Sequence, residues 1–453
     1  MTFGLVVLLA SAVFAWWLSG ARSLAYLLYY LSFAPFLTLS TTDGGMQGLD
    51  DFGSSVVFTK LVLRAGTAAA VVALLVTRRA AARPLGDPRY LPILFFVLWT
   101  TLGLPRAPDP SVALMRLGEL VAFVLLGVLL WNDAARAPSL RCVLRWHALA
   151  LLPLIVVTAV YARLDPGLAL HVAENGMVRA GNRLINAESL GTVGALLTLW
   201  ASYELKDPPE RRERWWRERL VPAICVLAGA ATLVMARSRT AMTATLLAEI
   251  VLWSSTLRGS RRQWACGLAL GLAALLWTSF NVETIETWFL RGDSVANLRT
   301  GTGRTELWAH LFEDAVRLHP LVGNGYLNLS ESGGFWHAGT YWTNAHNAYL
   351  AALLFAGVPG FFALLAILAL PLRTAWIRAR EFDSDRGAWL AIFALGLLAA
   401  ISNGTSFGIC GWPNPLMLFF FALFPIAVIG VRRRAARTSD VELDGPLRAG
   451  ARA

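Results

Sequence analysis

The sequence predicts an all-α polytopic membrane protein with about 12–13 transmembrane helices. Of its 453 residues, 56% are hydrophobic and only 15% are charged, whereas soluble domains carry about 25% charged residues. Apolar runs of roughly 20 residues, the length that a helix needs to cross the hydrocarbon layer, recur along nearly the whole chain. These runs do not alternate with a period of two, so helices rather than strands are expected.

The apolar runs define the predicted spans and, with them, four parts of the chain. The first two runs form either two crossings, which gives thirteen and places Met1 outside, or one broken or partly re-entrant crossing, which gives twelve. Spans are predicted near 3–19, 23–39, 56–76, 90–104, 113–131, 146–161, 188–204, 219–235, 241–257, 264–280, 359–378, 388–402 and 414–431. The parts are an N-terminal helix bundle (1–280), an outer segment (281–346), C-terminal membrane helices (347–431) and a tail (432–453).

Arginine-rich connections predict the orientation of the chain. By the positive-inside rule they face the cytoplasm, which puts the C-terminus there and the remaining connections outside. The net charge of +11 is mostly this arginine, so contact with anionic membrane lipids, and not nucleic-acid binding, is expected. The arginine-rich connections are 78–89, 136–145, 206–219, 258–262, 373–386 and 432–437.

A second set of cations lies on the outer side, where the charge rule does not place them. Lys60 and Arg64 add two cations four residues apart on one face of a span, and charge within a span is a default sign of function. Arginine offers a planar fork of donors that suits phosphate and carboxylate. Ser238 is placed to cap a helix that begins near Arg239, which would add an anion-binding N-terminus. The inferred ligand is an anion such as a lipid phosphate or pyrophosphate. The outward arginines are Arg179, Arg183, Arg237, Arg239, Arg299 and Arg304.

The outer segment 281–346 contains an amphipathic stretch. "GRTELWAHLFEDAVRLHP" predicts a helix with Leu307 and Leu311 on its apolar flank. Such a helix lies on the membrane surface or against the spans. It would begin near Arg304, close to Gly residues that let backbone approach a ligand.

A histidine beside the arginines is a candidate general base. His346 is preferred because Asn344 is expected to cap a helix whose first turn carries His346 and Asn347 and whose buried side carries Tyr349. His337 is the rival, in a Gly-flanked loop that suits acceptor contact better than a fixed proton acceptor. Asn347 and Tyr349 are supporting residues.

No metal or other cofactor is expected. The outward segments contain no Asp-x-Asp motif, and the adjacent Asp50 and Asp51 are typical of a solvated loop. The four cysteines are scattered, without metal-ligand or disulfide spacing.

The ordered motifs resemble the O-antigen ligase/O-antigen polymerase superfamily over about residues 160–430. One departure is Ala187, where a common family form has Pro. The motifs are "RAGNRLINAESLG", "ARSRTA", "TGTGRTELW", "VGNGYLN", "AHNAYL" and "AGVPGFF".

The resemblance implies a lipid-carrier (GT-C-like) glycosyltransferase of the bacterial inner membrane, with its active site facing the periplasm. Such enzymes move a glycan from undecaprenyl pyrophosphate to an acceptor hydroxyl, with inversion and without metal. By motif, Arg239 and Arg304 would hold the pyrophosphate, Arg179 and Arg183 would lie near the same headgroup, and His346 would be the base.

Three activities share this template. A ligase transfers the glycan to lipid A–core, a polymerase to another lipid-linked repeat, and a protein O-oligosaccharyltransferase to Ser or Thr. The ligase is favoured, then the polymerase, because protein-directed relatives often carry a larger soluble C-terminal region than 432–453. A flippase or other transporter is the alternative of a different class; it would explain cations in a cavity but not a histidine-bearing helix beside them.

Overall fold

A computed structural model describes the chain over residues 9–14, 16–17, 27–28, 31, 55–77, 83–107, 110–133, 140–172, 178–181, 185–206, 219–255, 304–317, 319–325, 335–337, 340–342, 345–378, 385–402 and 419–420. These residues are mostly helical, and two short antiparallel hairpins accompany the helices. The longer helices are α1 (Ser55–Thr77), α2 (Leu91–Leu102), α3 (Pro110–Asp133), α4 (Leu140–Leu164), α5 (Ala187–Lys206), α6 (Val221–Ala236), α7 (Arg239–Ser254), α8 (Arg304–Leu311), α9 (Ala348–Arg378) and α10 (Arg386–Ser402). The strands are β1 (Leu170–Val172), β2 (Val178–Ala180), β3 (Phe335–His337) and β4 (Thr340–Trp342).

The helices confirm a polytopic membrane fold. Within the described residues, Leu140–Leu164 and Ala348–Trp376 are long and apolar enough to cross a membrane, and shorter apolar helices accompany them. Two predicted spans begin earlier than expected, since α4 starts at Leu140 and α9 at Ala348. The predicted span 264–280 and most of 414–431 lie outside the described residues.

Helix α5 is the centre of the bundle. Nearly all of its residues from Leu190 to Glu204 are buried, because α4, α6 and α7 pack around it. Helix α10 packs against α7 and α9, and α2 packs against α9. A helix that is apolar and covered on all sides is a core helix, so its two ends are fixed relative to the neighbouring helices.

One end of the bundle holds a polar cluster that joins four helices. Arg141 on α4 lies 3.9 Å from Glu204 on α5, and its guanidinium stacks over the ring of Tyr203. Tyr203 donates a hydrogen bond to Asp385, which precedes α10, and Lys206 donates to the carbonyl of Leu252 on α7 at 2.8 Å. Helix ends that the positive-inside rule assigns to the same side therefore lie together. The opposite ends of α5, α7 and α9 form the candidate site.

Helix α9 is broken at Gly357. This residue has φ 64° and ψ −167°, a conformation that only glycine adopts readily. The break leaves carbonyl groups without helical donors, and other segments satisfy them: Trp99 on α2 donates to Ala356 O at 3.0 Å, and Asn324 N donates to Leu354 O at 2.7 Å. Inside a membrane such groups need a protein partner, so the 319–325 loop and Trp99 hold the first half of α9 in place.

Candidate functional site

The start of α5 explains most of the "RAGNRLINAESLG" motif. Asn186 is the N-cap, because its Oδ1 accepts from Glu188 N at 2.7 Å and its carbonyl accepts from Leu190 N. Gly181 has φ 101°, and a Cβ there would lie 2.4 Å from the Cα of Ala187. The motif thus needs glycine to fold the β2 strand back onto the first turn of α5. Ala187 is the first helical residue, a position that also suits proline, so the departure from the common family form is compatible with the same helix start.

The "ARSRTA" motif is the tight turn between α6 and α7. Arg237 ends α6 with left-handed backbone angles, φ 48° and ψ 34°. Ser238 caps α7, and its side chain accepts from Ala241 N at 3.4 Å. Both the predicted cap and the helix start at Arg239 are confirmed. A non-glycine residue at positive φ is uncommon and is found preferentially at functional sites.

Close packing brings this turn against α5. A Cβ on Gly191 would lie 2.6 Å from the Cβ of Ser238 and 3.0 Å from that of Ala241. Only a residue without a side chain permits this approach. The N-termini of α5 and α7, with Arg239 at the start of α7, therefore lie side by side.

An ion pair joins α8 to the same place. Helix α8 begins at Arg304 as predicted, and Arg304 Nη2 lies 3.4 Å from Glu188 Oε1 on α5. Both side chains are partly exposed, at 22% for Arg304 and 26% for Glu188. Leu307 and Leu311 are buried, which confirms the apolar flank of the predicted amphipathic helix.

The start of α9 differs from the prediction. Asn347 is the N-cap, because its Oδ1 accepts from Tyr349 N and Leu350 N, both at 3.0 Å; the predicted cap, Asn344, lies outside the described residues. His346 precedes the helix and has φ 50°, so it is not part of the first turn. The reason is that the Asn347 side chain satisfies the first free N–H groups of the helix, which leaves the histidine in the preceding turn.

Trp308 ties this turn to α8. Its indole Nε1 donates to the carbonyl of Ala345 at 2.8 Å, and Ala345 is fully buried. The residue immediately before His346 is therefore held by a specific bond. The sequence prediction did not identify this contact, because the indole N–H and the carbonyl are 37 residues apart.

Charges in the site influence one another. Burial lowers the pKa of the His346 imidazole, while the Glu188 carboxylate raises it and the Arg304 guanidinium lowers it. Burial also lowers the pKa of Arg179 on β2, and Glu188 raises it. Nε of Arg179 is buried and has no hydrogen-bond partner among the described residues. Arg179, Glu188, Arg304 and His346 thus form one electrostatic group, in which the imidazole is favoured in its neutral form.

Some predicted site residues are not placed in this group. Lys60 and Arg64 lie on α1, and the structure describes only their backbone. Arg183 and Arg299 lie outside the described residues. Tyr349 donates its hydroxyl to Leu397 O on α10 at 3.0 Å, which ties α9 to α10 and is a supporting role.

The expected loop around His337 is wrong. His337 is the last residue of β3 and pairs with Thr340 of β4 in a hairpin. Alternating aromatic residues, "FWHAGTYW", favour two short strands across a tight turn. The strand signal in these aromatic residues therefore outweighs the loop signal of the neighbouring glycines.

The sequence did not predict two residues of the site, Asn186 and Glu188. Asn186 precedes an apolar helix with an acidic residue in its first turn, which is a recognisable N-cap signal. Glu188 is not among the residues that the sequence predicted for the site. Its proximity to Arg304 and His346 depends on α8 and α9, and sequence spacing does not reveal that.

The arrangement suits an anionic ligand beside a base. The N-termini of α5, α7, α8 and α9 are linked by the Gly191–Ser238, Glu188–Arg304 and Trp308–Ala345 contacts. Helix N-termini carry partial positive charge and free N–H groups, and arginines add full charges. Within the described residues, no group of three His, Cys, Asp or Glu side chains could hold a metal ion.

Comparison with known proteins gives one family. The sequence model of the family described as O-antigen ligase matches residues 223–365. No curated protein matches the chain. The matched range contains most of α6, the whole of α7 and α8, and the start and the break of α9, whereas Glu188 and Arg179 lie before it.

Proposed function

We propose that the chain is an O-antigen ligase, because the O-antigen ligase family match at residues 223–365 supports membership of the O-antigen ligase/polymerase superfamily. The reaction moves the O-antigen glycan from undecaprenyl pyrophosphate to a sugar hydroxyl of lipid A–core. It takes place at the periplasmic face of the bacterial inner membrane, inverts the sugar and needs no metal. Arg304, the Arg239 turn and His346 lie at neighbouring helix N-termini, and this juxtaposition is the observation that supports the proposal.

The arginines act on the leaving group. When the bond between the sugar C1 and the pyrophosphate oxygen breaks, negative charge develops on the undecaprenyl pyrophosphate. Arg239 and Arg304 stabilise that charge together with the N-termini of α7 and α8, in the way that preorganised donors stabilise a transition state. Arg179, whose Nε is buried and without a described partner, adds a third guanidinium. Arg183, Arg237, Arg299, Lys60 and Arg64 complete the proposed donor-binding set.

His346 accepts the proton of the acceptor hydroxyl. The hydroxyl oxygen forms the new bond to C1 on the face opposite the pyrophosphate, and its proton passes to the imidazole. A base must be neutral at the start of this step, and burial favours neutral imidazole. Because Nδ1 is buried, Nε2 is the nitrogen that the acceptor reaches. The Asn347 cap and the Trp308–Ala345 bond hold the turn that carries the imidazole.

The experiment replaces each of the two main arginines in purified protein and measures transfer from a lipid-linked donor to lipid A–core. Arg239→Ala and Arg304→Ala are each expected to abolish transfer in a folded protein. Lysine at either position should rescue poorly, because an ammonium does not reproduce the bidentate fork. Arg317→Ala is the matched control, since the Arg317 side chain is exposed and forms an ion pair with Glu313 at 3.1 Å. Near-normal transfer by both alanine variants would refute the pyrophosphate assignment.

A deletion strain separates the ligase from the polymerase. Loss of all O-antigen on core, with polymerised glycan still on the lipid carrier, supports the ligase. Core that carries a single repeat unit indicates the polymerase. If the protein were a flippase, its deletion would leave the donor glycan on the cytoplasmic side, so no polymerised glycan would accumulate on the periplasmic carrier.

A further inference from the structure

Glu188 is an acidic residue at the centre of a cationic site. Its carboxylate lies 3.4 Å from Arg304 and interacts electrostatically with Arg179 and His346. The Asn186 cap fixes its backbone, while its side chain remains 26% exposed. A partly exposed carboxylate on a fixed backbone is able to change partners by rotating its side chain.

The charge of Glu188 opposes the binding of an anionic ligand. Arg304 is engaged with this carboxylate, so a pyrophosphate that binds Arg304 has to displace it or share it. Two like charges close together also repel. On the other hand, a carboxylate near His346 stabilises the positive imidazole that forms when the base accepts a proton. The same residue therefore weakens donor binding and assists the proton transfer.

We propose that Glu188 pairs with Arg304 until the donor pyrophosphate binds to Arg304 and displaces the carboxylate, and that Glu188 then stabilises the protonated His346. This rests on the proposed function. Glu188 acts through Arg304 and His346 and is a positioning residue, not a catalytic one. Its substitution should separate donor affinity from turnover, whereas loss of a purely structural ion pair would impair both.

The test uses Glu188→Gln in the full-length protein in lipid nanodiscs, with inorganic pyrophosphate as the binding probe. Pyrophosphate should bind about 5- to 10-fold more tightly, since a partly exposed ion pair of about 1 kcal/mol no longer competes. In the transfer assay the KM for the lipid-linked donor should fall and kcat should fall by roughly tenfold. Glu313→Gln, which removes one carboxylate from the exposed pair with Arg317, should change neither quantity.

A second variant guards against misfolding. Glu188→Asp keeps the charge but shortens its reach, so it should shift affinity and kcat in the same directions by smaller factors. Weaker pyrophosphate binding in Glu188→Gln would overturn the inference, because Glu188 would then only hold Arg304 in its binding position. Unchanged binding and kcat in both variants would overturn it as well. If the wild-type protein binds pyrophosphate no better than Arg304→Ala does, the proposed function itself fails.

Discussion

Substitution of Gly191 by alanine tests whether the packing of α5 against α7 sets the geometry of the site. The added Cβ would lie 2.6 Å from the Cβ of Ser238, whereas ordinary contact begins at 3.4 Å. The first turn of α7 therefore has to move by about 0.8 Å, the difference between these two distances. Arg239 starts that turn and moves with it, away from α5, where Glu188 pairs with Arg304.

The expected effect on activity is larger than the effect on stability. Overpacking costs about 1–3 kcal/mol, and replacement of a helical glycine by alanine returns up to about 1 kcal/mol through helix propensity. The net loss of roughly 0–3 kcal/mol lies below the usual stability of a folded protein, about 5–15 kcal/mol, so the variant should remain folded. A displacement of about 1 Å is enough to lower a reaction rate by about 10²-fold, so we expect turnover to fall by about 10- to 100-fold.

The assay compares Gly191→Ala with Gly118→Ala in the same detergent or nanodisc preparation. Gly118 lies on α3 with nothing within 4 Å of an added Cβ, so its substitution changes helix propensity but no contact. The double variant Gly191→Ala/Ser238→Gly removes the closest clashing atom. It should recover part of the lost turnover, because glycine at an N-cap costs only a few tenths of a kcal/mol. Thermal unfolding followed for all variants separates misfolding from misplacement.

Wild-type turnover and donor affinity in Gly191→Ala would refute this reasoning. So would an equal loss in Gly118→Ala, since that would trace the effect to helix propensity alone. Failure of the double variant to recover any activity would mean that Ser238 is needed for more than the contact with Gly191.

Three further predictions concern the base and the cofactor. His346→Ala should lower the rate by about 10²–10⁴-fold while pyrophosphate still binds, whereas His337→Ala should mainly weaken acceptor use; the reverse pattern in side-by-side assays would exchange their roles. Because burial lowers the pKa of His346 and the base must be neutral, the acidic limb of the pH–rate profile should lie below the ordinary histidine value of about 6.5, and a limb above that value would contradict a buried base. Transfer should persist in excess EDTA, and activity that is lost and then restored specifically by a divalent ion would contradict a metal-independent reaction.

The sequence was sufficient for the class of fold and for several local features. Apolar runs of membrane-crossing length depend only on composition and predicted most of the helices in the described residues. The Ser238 cap and the helix start at Arg239 follow from capping chemistry between neighbouring residues, and the helix start at Arg304 follows from the apolar pattern after it. The family resemblance likewise rests on short ordered motifs, and the O-antigen ligase match at residues 223–365 confirms it.

The sequence prediction was wrong at two places where local signals allow more than one structure. Asn344 and Asn347 are both able to cap the helix after "TNAHNAYL", and the choice of Asn347 moved His346 out of the first turn. The glycines around His337 suggested a loop, although the alternating aromatic residues form a hairpin. The observed arrangements pair backbone groups through the Asn347 side chain and the strand ladder, and local spacing does not rank them above the alternatives.

Composition and short motifs therefore suffice to predict the membrane class of the protein and the kinds of side chain available to its candidate site. Three contacts emerge from the packing of the helices alone: Glu188 pairs with Arg304, 116 residues away in the chain, the Ser238 turn lies against Gly191, and Trp308 donates to the residue before His346. The physical reason is that helix periodicity and caps act within a few residues, whereas these contacts depend on how helices pack. Packing is set by the fit of whole surfaces, and a local pattern does not contain that information.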